Sequence, residues 1–287
     1  LLRLIHMAII DGKKVSSQII ENITTEVKSL KLKIDKSPGL AVILVGDDPA
    51  SAVYVRNKNK TCTKIGFQSF ENILPSDTSE LILLNLIDEL NNNENINGIL
   101  VQLPLPKHIS SHKILEAIKP EKDVDGFHLQ NVGRLVTGNP SFIPCTPAGI
   151  IQLLDYYSVD LEGKNAVVLG RSNIVGKPVA FLLLEKNATV TICHSRTKDL
   201  SKITRQADVL IAAIGKPNFV TADMVKDDSV IIDVGINRVD GKLVGDVDYQ
   251  VVSQKVSLIT PVPGGVGPMT IAMLMANTLQ SFKNSLT

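Results

Sequence analysis

The stretch NAVVLGRSNIVGKP, residues 165–178, joins a short apolar run to a glycine-bearing turn and then to a helix pattern. Gly170 allows the chain to turn sharply, and Gly176 allows the start of the helix to come close to a ligand. The first turn of a helix offers free N–H groups and the positive end of the helix dipole, which favour a pyrophosphate. Pro178 suits an early helical position. Because the spacing differs from G-x-G-x-x-G, an ordinary strand-to-helix turn is the alternative interpretation.

The second half of the chain repeats this alternation of apolar runs and helix patterns. Four runs predict strands, with helices between the first three: NAVVLG, ATVTIC, ADVLIAAIG and SVIIDVG. Strands that alternate with helices are typical of parallel sheets in nucleotide-binding domains. The pattern therefore predicts a Rossmann-like, doubly wound parallel sheet in an α/β fold.

The first half also reads as α/β. Apolar residues at helical spacing from Val15 to Leu30 predict an amphipathic helix. AVILV (41–45) and GILVQ (98–102) lack period-two alternation, so we expect parallel strands that are buried on both faces. Helix patterns run from about 51 to 64 and from about 79 to 90.

Two further segments bear on the domain organisation. Residues 120–146 contain three prolines and little periodicity, which predicts a long loop and a domain boundary. Ile271, Leu274, Met275, Leu279 and Phe282 line one face of a final helix pattern. We expect this helix to pack back on the first domain.

The composition excludes several classes of protein. A chain of 287 residues with 44% hydrophobic residues can form two domains with buried cores. A net charge of +1 without runs of like charge argues against nucleic acid or an acidic membrane as a partner. Trp is absent and aromatic residues make up 4%, which argues against base stacking. No apolar run approaches the ~20 residues of a membrane span.

The cysteines indicate a reducing compartment. Cys62, Cys145 and Cys193 are odd in number and widely spaced, so we expect reduced thiols and a cytoplasmic location. Leu1–His6 precede Met7 and are too short for a signal peptide. We interpret them as an extension without functional weight.

The segment CHSRT, residues 193–197, predicts the type of dinucleotide. It follows the second strand of the predicted sheet, where sites for NAD place an acidic residue against the ribose. Here Ser195 can donate to a phosphate, Arg196 can pair with one, and Arg171 could approach the same place. The segment therefore favours NADP over NAD, with a merely solvated Arg196 as the alternative.

Tyr54 and Lys58 are four residues apart on a predicted helix, so their side chains share one face. A lysine that loses solvation in a cleft has a lowered pKa and can serve in proton transfer. Gln102 ends a predicted strand, where open α/β sheets bind ligands, and its amide could orient an ammonium. The alternatives are a solvated basic helix face and an amide that binds loop backbone.

Asp125 lies in KDVDGFH and could accept two parallel N–H bonds from a guanidine-like ring edge. An Asp-Gly turn is the alternative. His108, His112 and Glu116 have helical spacing, but they are better explained as a solvated helix start than as a metal site. Since no G-x-S-x-G is present, we expect no serine triad.

The segment PVPGGVGPMT, residues 261–270, holds three prolines and three glycines within eight residues. Proline fixes φ, whereas glycine allows positive φ or the close approach of another group. The segment predicts a rigid, ligand-facing turn that leads into the last helix.

Ten segments resemble the bifunctional methylenetetrahydrofolate dehydrogenase/methenyltetrahydrofolate cyclohydrolase family. They occur in the family's order and cover nearly the whole chain from Met7: YVRNKNKTC, GILVQLPLP, KDVDGFH, GRL, FIPCTPAG, GRSNIVGKP, CHSRT, DVGIN, GDVD and PVPGGVGPMT. Ten ordered matches are much more specific than any one of them. The chain shows no departure at the family's catalytic positions.

The resemblance implies two α/β domains with an interdomain cleft. A folate-binding catalytic domain would comprise residues 7–143 plus 268–287, and an NADP-binding Rossmann-like domain would comprise residues 144–267. The resemblance also implies NADP as the cofactor, tetrahydrofolate derivatives as substrates and a homodimer formed through the NADP domains.

The resemblance further implies a role for each matched residue. Tyr54 would stack on the folate rings, and Lys58 would donate a proton or activate water, with Gln102 positioning it. Asp125 would grip the amino and ring N–H groups of the pterin. Gly267 and Pro268 would border the folate, and the 212–217 turn with Ile236 would flank the nicotinamide. The implied dinucleotide-binding residues are Gly170, Arg171, Ser172, Ile174, Gly176, Ser195, Arg196 and Ile236.

The implied reaction is a two-step conversion in one-carbon metabolism and purine biosynthesis. Hydride would pass from 5,10-methylenetetrahydrofolate to NADP, and water would then open the methenyl ring to give 10-formyltetrahydrofolate, without a metal. Two alternatives stay open: an oxidoreductase that acts on a hydroxy or amino acid, and a catalytically silent nucleotide-binding regulator.

Overall fold

Helices and parallel strands alternate along the chain. The computed structural model describes residues 8–286, so the predicted extension Leu1–His6 lies outside the described residues. The helices are α1 (Gly12–Ile34), α2 (Pro49–Lys64), α3 (Glu80–Asn92), α4 (Ser111–Ala117), α5 (Leu129–Val136), α6 (Cys145–Tyr156), α7 (Gly176–Glu185), α8 (Leu200–Thr204), α9 (Tyr249–Val252) and α10 (Val266–Asn284). The strands are β1 (Ala8–Ile9), β2 (Gly39–Val45), β3 (Gln68–Leu74), β4 (Gly98–Val101), β5 (Asn165–Leu169), β6 (Thr189–Cys193), β7 (Val209–Ala212), β8 (Val230–Asp233), β9 (Asn237–Val239), β10 (Lys242–Val244) and β11 (Leu258–Ile259).

The chain divides into two compact units. The small-sheet unit comprises residues 17–145 and 271–286, and the large-sheet unit comprises residues 8–16 and 146–270. Each unit has a parallel sheet of its own. Within residues 8–286, no helix combines the length and apolar character needed to cross a membrane.

The large-sheet unit contains the predicted doubly wound sheet. Its strand order is β1-β11-β8-β7-β5-β6, and neighbouring strands are parallel. After β5 the chain first adds β6 on one side and then β7 on the other side. Strand order therefore reverses at β5, and the carboxyl ends of β5 and β7 form the switch point where such sheets bind ligands.

The short edge strand β1 belongs to this sheet although it lies near the start of the chain. Ala8 pairs with Leu258 and Ile9 with Ile259, across a very long sequence separation. Gly12 fits closely behind this strand, because a Cβ atom there would lie 1.8 Å from the carbonyl oxygen of Gly265. Local sequence patterns do not reveal such long-range pairs, and the sequence analysis did not predict this strand.

The small-sheet unit contains a three-stranded parallel sheet in the order β3-β2-β4. Every residue of the central strand β2 is buried, as expected of a strand covered on both faces. The last helix contributes Leu274, Met275, Leu279 and Phe282 to the same core as Leu40 and Val42. Full burial of one such side chain is worth about 1.5–3 kcal/mol, so these helix residues contribute substantially to the unit.

The expectation that residues 120–146 form a loop is wrong in part, because helix α5 occupies Leu129–Val136. His128 caps this helix by accepting a hydrogen bond from the backbone N–H of Gln130. Asn131 and Leu135 are buried and hold the helix against the rest of the unit. A helix of only about two turns gives too few apolar repeats to show a period.

Candidate active site

Helix α2 presents Tyr54 and Lys58 on one face. The helix begins at Pro49, where the side chain of Asp48 accepts a hydrogen bond of 2.7 Å from the backbone N–H of Ser51. Lys58 is 8% exposed, and Tyr54 is half-buried. The lysine is therefore not part of a solvated basic face.

Gln102 meets Lys58 at the end of β4. Nζ of Lys58 donates to Oε1 of Gln102 over 2.9 Å. Nε2 of Gln102 donates to the carbonyl oxygen of Leu103 over 2.8 Å, which assigns the orientation of the amide. Because β2 and β4 are parallel neighbours, the helix that follows β2 and the residue that follows β4 start from the same edge of the sheet.

Burial dominates the electrostatics of this cluster. Loss of solvation lowers the pKa of the Lys58 ammonium, whereas the negative charge of Asp125 partly opposes this shift. Burial raises the pKa of Asp125 to about 6, and the charge of Lys58 opposes that shift. The pKa of the Cys145 thiol is raised well above its ordinary value, mainly by burial. The site thus combines an amine whose pKa is lowered, a carboxyl group whose pKa is raised, and a thiol that stays protonated.

Asp123 shapes the loop that carries Asp125, and the sequence analysis missed it. Asp123 is 1% exposed. Its Oδ1 accepts from the backbone N–H groups of Gly126 (3.1 Å) and Phe127 (3.2 Å). Its Oδ2 accepts from the backbone N–H of His128 and from the side-chain amide of Asn131, both over 2.8 Å. The D-x-D-G spacing followed by Asn is the available signal, since aspartate often accepts from N–H groups a few residues on.

Asn277 of α10 holds the same loop from the other side. Its side-chain amide donates to the carbonyl oxygens of Val124 (2.8 Å) and Ile143 (3.0 Å). Gly126 has φ +77°, and a Cβ atom there would lie 2.7 Å from the backbone nitrogen of Pro144. The backbone on both sides of Asp125 is therefore fixed. Asn277 was also missed, because a lone asparagine in an apolar helix carries no recognisable motif.

A cavity of about 310 Å³ opens at the carboxyl ends of β5 and β7 in the large-sheet unit. Of the predicted dinucleotide-binding residues, Gly170, Arg171, Ser172 and Ser195 line it. His194 and Phe219, which were not among the predicted site residues, also line it, and so does Lys216 of the predicted 212–217 turn. The cavity lies at the topological switch point, as a dinucleotide site requires.

The two glycines of the turn are needed for packing. Gly170 has φ +120°, and a Cβ atom there would lie 2.2 Å from the carbonyl oxygen of Ala213. A Cβ atom on Gly176 would lie 2.3 Å from the carbonyl oxygen of Gly170. Gly176 thus makes room for the chain's own backbone. Oγ of Ser172 accepts from the N–H groups of Val175 and Gly176, both over 3.2 Å, and so occupies donors of the helix start.

Ser195 and Arg196 project from a short turn with its own hydrogen bonds. The backbone N–H of Arg196 donates to Nδ1 of His194 over 3.2 Å, and the backbone N–H of His194 donates to Oγ1 of Thr197 over 2.9 Å. Both Ser195 and Arg196 are exposed, and Arg196 is not among the residues that line the cavity. Ile174 is exposed as well.

The segments DVGIN and PVPGGVGPMT meet in the large-sheet unit. A Cβ atom on Gly267 would lie 3.8 Å from Cδ1 of Ile236, and Ile236 is 45% exposed. Pro268 lies in the first turn of α10 and is half-buried. The predicted turn does lead directly into the last helix.

His108 and Glu116 of the predicted helical cluster have partners other than a metal ion. A ring nitrogen of His108 lies 2.8 Å from the carbonyl oxygen of Thr78, and Glu116 accepts from the backbone N–H of Leu129. Within the described part of the chain, no group of three or more His, Cys, Asp or Glu residues is placed to hold a metal ion.

Family models match both parts of the chain. The model of the tetrahydrofolate dehydrogenase/cyclohydrolase catalytic domain matches residues 10–125. The model of the NAD(P)-binding domain of the same family matches residues 144–286.

Individual proteins are similar over nearly their whole length. The bifunctional protein FolD of Campylobacter hominis is 58% identical over 281 residues, which cover 98% of this chain and 99% of the relative. The crystal structure of the bifunctional enzyme FolD from Campylobacter jejuni is 54% identical with a TM-score of 0.95, covering 97% of this chain and 99% of that one. The FolD structure from Trypanosoma brucei, complexed with NADP cofactor and inhibitor, is 41% identical with a TM-score of 0.94, covering 98% of each chain.

Proposed function

Because the chain belongs to the tetrahydrofolate dehydrogenase/cyclohydrolase family, we propose that it oxidises 5,10-methylenetetrahydrofolate with NADP and hydrolyses the product to 10-formyltetrahydrofolate. The structural observation that carries this function is the hydrogen bond between buried Lys58 and partly buried Gln102, with the carboxylate of Asp125 acting on the lysine through its charge. Such a site has a group for proton transfer and a group that recognises a ring edge.

In the first reaction, bound NADP would supply the acceptor for the hydride that leaves the one-carbon bridge of the substrate. The resulting methenyl cation is stabilised by the two folate nitrogens that flank it. The protein therefore acts mainly by alignment. Tyr54 stacks on the folate rings, and Ile236 and the 212–217 turn keep the nicotinamide in place.

In the second reaction, water adds to the methenyl carbon and the ring opens. One proton of the water leaves as the C–O bond forms. When the C–N bond then breaks, the hydroxyl group loses its proton and becomes the formyl carbonyl, the departing ring nitrogen gains one proton, and the other proton passes to solvent. Lys58 carries a proton from the water to the ring nitrogen, because burial lowers its pKa and so favours the neutral form that accepts a proton. Gln102 accepts a hydrogen bond from Lys58 but adds no negative charge, so it does not hold the lysine in its protonated form.

Asp125 binds the pterin by accepting N–H bonds from its amino group and ring nitrogen. The loop around Asp125 is fixed by Asp123 and Asn277, so little conformational freedom is lost on binding. Gly267 and Pro268 border the folate.

The residues of the large-sheet unit fit NADP. The cavity at the switch point suits a pyrophosphate, with Gly170, Arg171 and Ser172 in its lining, and the family resemblance adds Ile174 and Gly176 beside the start of α7. Ser195 and Arg196 offer a donor and a cation for the 2′-phosphate, and Arg171 adds a second cation. We infer a preference for NADP over NAD.

Three finer features complete the proposal. 10-Formyltetrahydrofolate is a formyl donor, so the reaction supplies one-carbon units for purine biosynthesis. Two copies associate through their NADP domains, which rests on the family resemblance alone. A cytoplasmic location is supported by three cysteines that are buried and free.

The test is to mix the purified protein with 5,10-methylenetetrahydrofolate and follow NADPH formation, and then to repeat it with NAD. Hydrolysis of methenyltetrahydrofolate is followed separately. NADP-preferring reduction together with hydrolysis supports both activities. Reduction of NADP by a hydroxy or amino acid alone would favour the rival oxidoreductase, and NADP binding without any folate turnover would favour a silent regulator.

A further inference from the structure

A fully buried carboxylate holds the turn that follows β7. Asp246 is 0% exposed, and its two side-chain oxygens accept four hydrogen bonds. Oδ2 accepts from the backbone N–H groups of Ile214 (2.7 Å) and Gly215 (3.0 Å). Oδ1 accepts from the backbone N–H of Lys216 and from the side-chain amide of Asn237, both over 2.9 Å.

Three consecutive N–H groups that converge on one point form an anion-binding nest. Gly215, with φ +65°, supplies the left-handed residue that such a nest needs. In this turn the anion is the chain's own carboxylate, so the nest is not available to a phosphate. Buried N–H groups are costly to leave without an acceptor, and the shape of residues 214–216 therefore depends on Asp246.

A second buried carboxylate holds Asp246 in place. Asp233, at the end of β8, accepts from the backbone N–H groups of Gly235, Asp246 and Val247, each over 2.9 Å. A Cβ atom on Gly245 would lie 1.8 Å from Oδ2 of Asp233, and one on Gly235 would lie 2.3 Å from Oδ1 of Asp246. The segments DVGIN (233–237) and GDVD (245–248) are thus joined by hydrogen bonds to two buried carboxylates. Gly235 and Gly245 are needed beside these carboxylates because a side chain at either position would collide with a carboxylate oxygen.

The turn held in this way is a wall of the candidate dinucleotide cavity. Ile214 and Lys216 line that cavity together with Ala213. Nζ of Lys216 lies 5.5 Å from the centre of the Phe219 ring, which also lines the cavity. A change in the 214–216 turn would therefore move several lining groups at once.

We propose that Asp246 is a positioning residue for the dinucleotide, which fixes the 214–216 turn in the conformation that NADP requires. The inference rests on the proposed function, because it needs NADP as the ligand of the cavity. Asp246 itself touches backbone and Asn237, and it acts on the dinucleotide only through the turn.

The experiment compares three variants with the wild-type chain. Asp246→Asn replaces one acceptor oxygen with an amide NH₂ group, a donor that would face N–H donors. Asn237→Ala is milder because it removes one of the four bonds. Asp248→Asn is the matched control, since it removes the same charge two residues later from a side chain that does not cap the following helix. NADP affinity is measured by titration calorimetry, and hydrolysis of methenyltetrahydrofolate is measured on the same samples.

We expect Asp246→Asn to weaken NADP binding about tenfold and Asn237→Ala to weaken it by about two- to threefold. Hydrolysis should stay within about twofold of wild type in both variants, because the residues assigned to it belong to the small-sheet unit. Asp248→Asn should match wild type in both measurements.

Wild-type NADP affinity in Asp246→Asn would overturn the inference while leaving the proposed function intact. Equal loss of NADP binding and hydrolysis in both Asp246→Asn and Asn237→Ala would also overturn the inference. Asp246 would then stabilise the fold as a whole and would not specifically position the dinucleotide. Absence of NADP binding by the wild-type chain would instead overturn the proposed function, and the inference with it.

Discussion

Nζ of Lys58 and Oε1 of Gln102 lie 2.9 Å apart, so a neutral amide is the hydrogen-bond partner of a nearly buried amine. A carboxylate in the same place would hold the amine in its charged form. The amide instead accepts from the ammonium while burial lowers the pKa of Lys58.

Replacing Lys58 with Met should abolish hydrolysis of methenyltetrahydrofolate and leave NADP binding unchanged. Loss of a group that transfers protons typically costs about 10²–10⁴-fold in rate. Hydrolysis is measured from the loss of methenyl absorbance and NADP binding by calorimetry. Lys60→Met, at an exposed position of the same helix, is the control. Retained hydrolysis by Lys58→Met would remove Lys58 from the mechanism.

Replacing Gln102 with Glu should move the acidic limb of the pH–rate profile for hydrolysis to higher pH. A carboxylate next to Lys58 favours the ammonium and raises the lysine pKa, by about 1–3 units for a close pair. The neutral amine is then populated only at higher pH. Gln102→Met should lower the rate without that displacement. An unmoved profile in Gln102→Glu would mean that the ionisation of Lys58 does not limit the rate.

Lowering the pH below about 6 should weaken folate binding, because the pKa of Asp125 is about 6 and the protonated form accepts fewer N–H bonds. The measurement is the KM for methylenetetrahydrofolate between pH 5 and 8. Asp125→Ala should bind folate poorly at every pH. A KM that does not depend on pH in the wild-type chain would contradict this role.

The raised pKa of Asp125 makes the folded protein less stable at high pH, although it is at high pH that the ionised Asp125 binds folate best. Because the folded-state pKa lies above the unfolded value, the contribution of Asp125 to the free energy of unfolding is fully present below about pH 4 and is lost as the pH rises through about 6. Asp125→Asn should therefore raise the free energy of unfolding at pH 8 by about 1–2 kcal/mol, and by less at pH 4. Urea unfolding at the two pH values tests this.

Asp123→Ala should destabilise the protein by about 3 kcal/mol or more, since the three backbone N–H groups and one amide that it accepts from lose their partner. It should also lower the pKa of Asp125, because the charge of Asp123 contributes to raising it. Asp88→Ala, on the exposed face of α3, should change stability by less than about 0.5 kcal/mol. A loss as small as that of the control would contradict the role given to Asp123.

Arg196→Ala should weaken NADP binding by about tenfold or more and leave NAD binding unchanged, since a charge-assisted bond to phosphate is worth about 1.5–3 kcal/mol. The two affinities are measured side by side. Arg205→Ala, an exposed arginine after α8, serves as the control. Equal affinities of Arg196→Ala and wild type for NADP would mean that Arg196 is merely solvated.

Local sequence patterns were sufficient to predict much of the fold. The predicted strands AVILV and GILVQ correspond to β2 and β4, and the predicted helix start at Gly176 is where α7 begins. Strand β3 was missed, because it lies at a sheet edge and its sequence QSFENIL mixes polar and apolar residues. Strands β1 and β11 were missed because each has only two residues and their pairing is long-range.

The site was less predictable than the fold. The Tyr54/Lys58 spacing indicates a shared helix face, but only the fold brings Gln102 to the lysine. Asp123 and Asp246 resemble ordinary loop aspartates in the sequence, and their importance comes from the backbone N–H groups that surround them. Those groups belong to distant segments in the case of Asp246, so spacing alone could not reveal it.

The core of the small-sheet unit joins Leu40 and Val42 to residues of the last helix. A ribosome makes residues 271–286 after residues 17–145, with residues 146–270 emerging in between. At about 5–20 residues per second, that interval lasts roughly 6–25 s. During translation the apolar surface of residues 17–145 therefore stays uncovered until residues 271–286 have also been made. The unit whose synthesis starts earlier can complete its core only after all of residues 146–270 have been made.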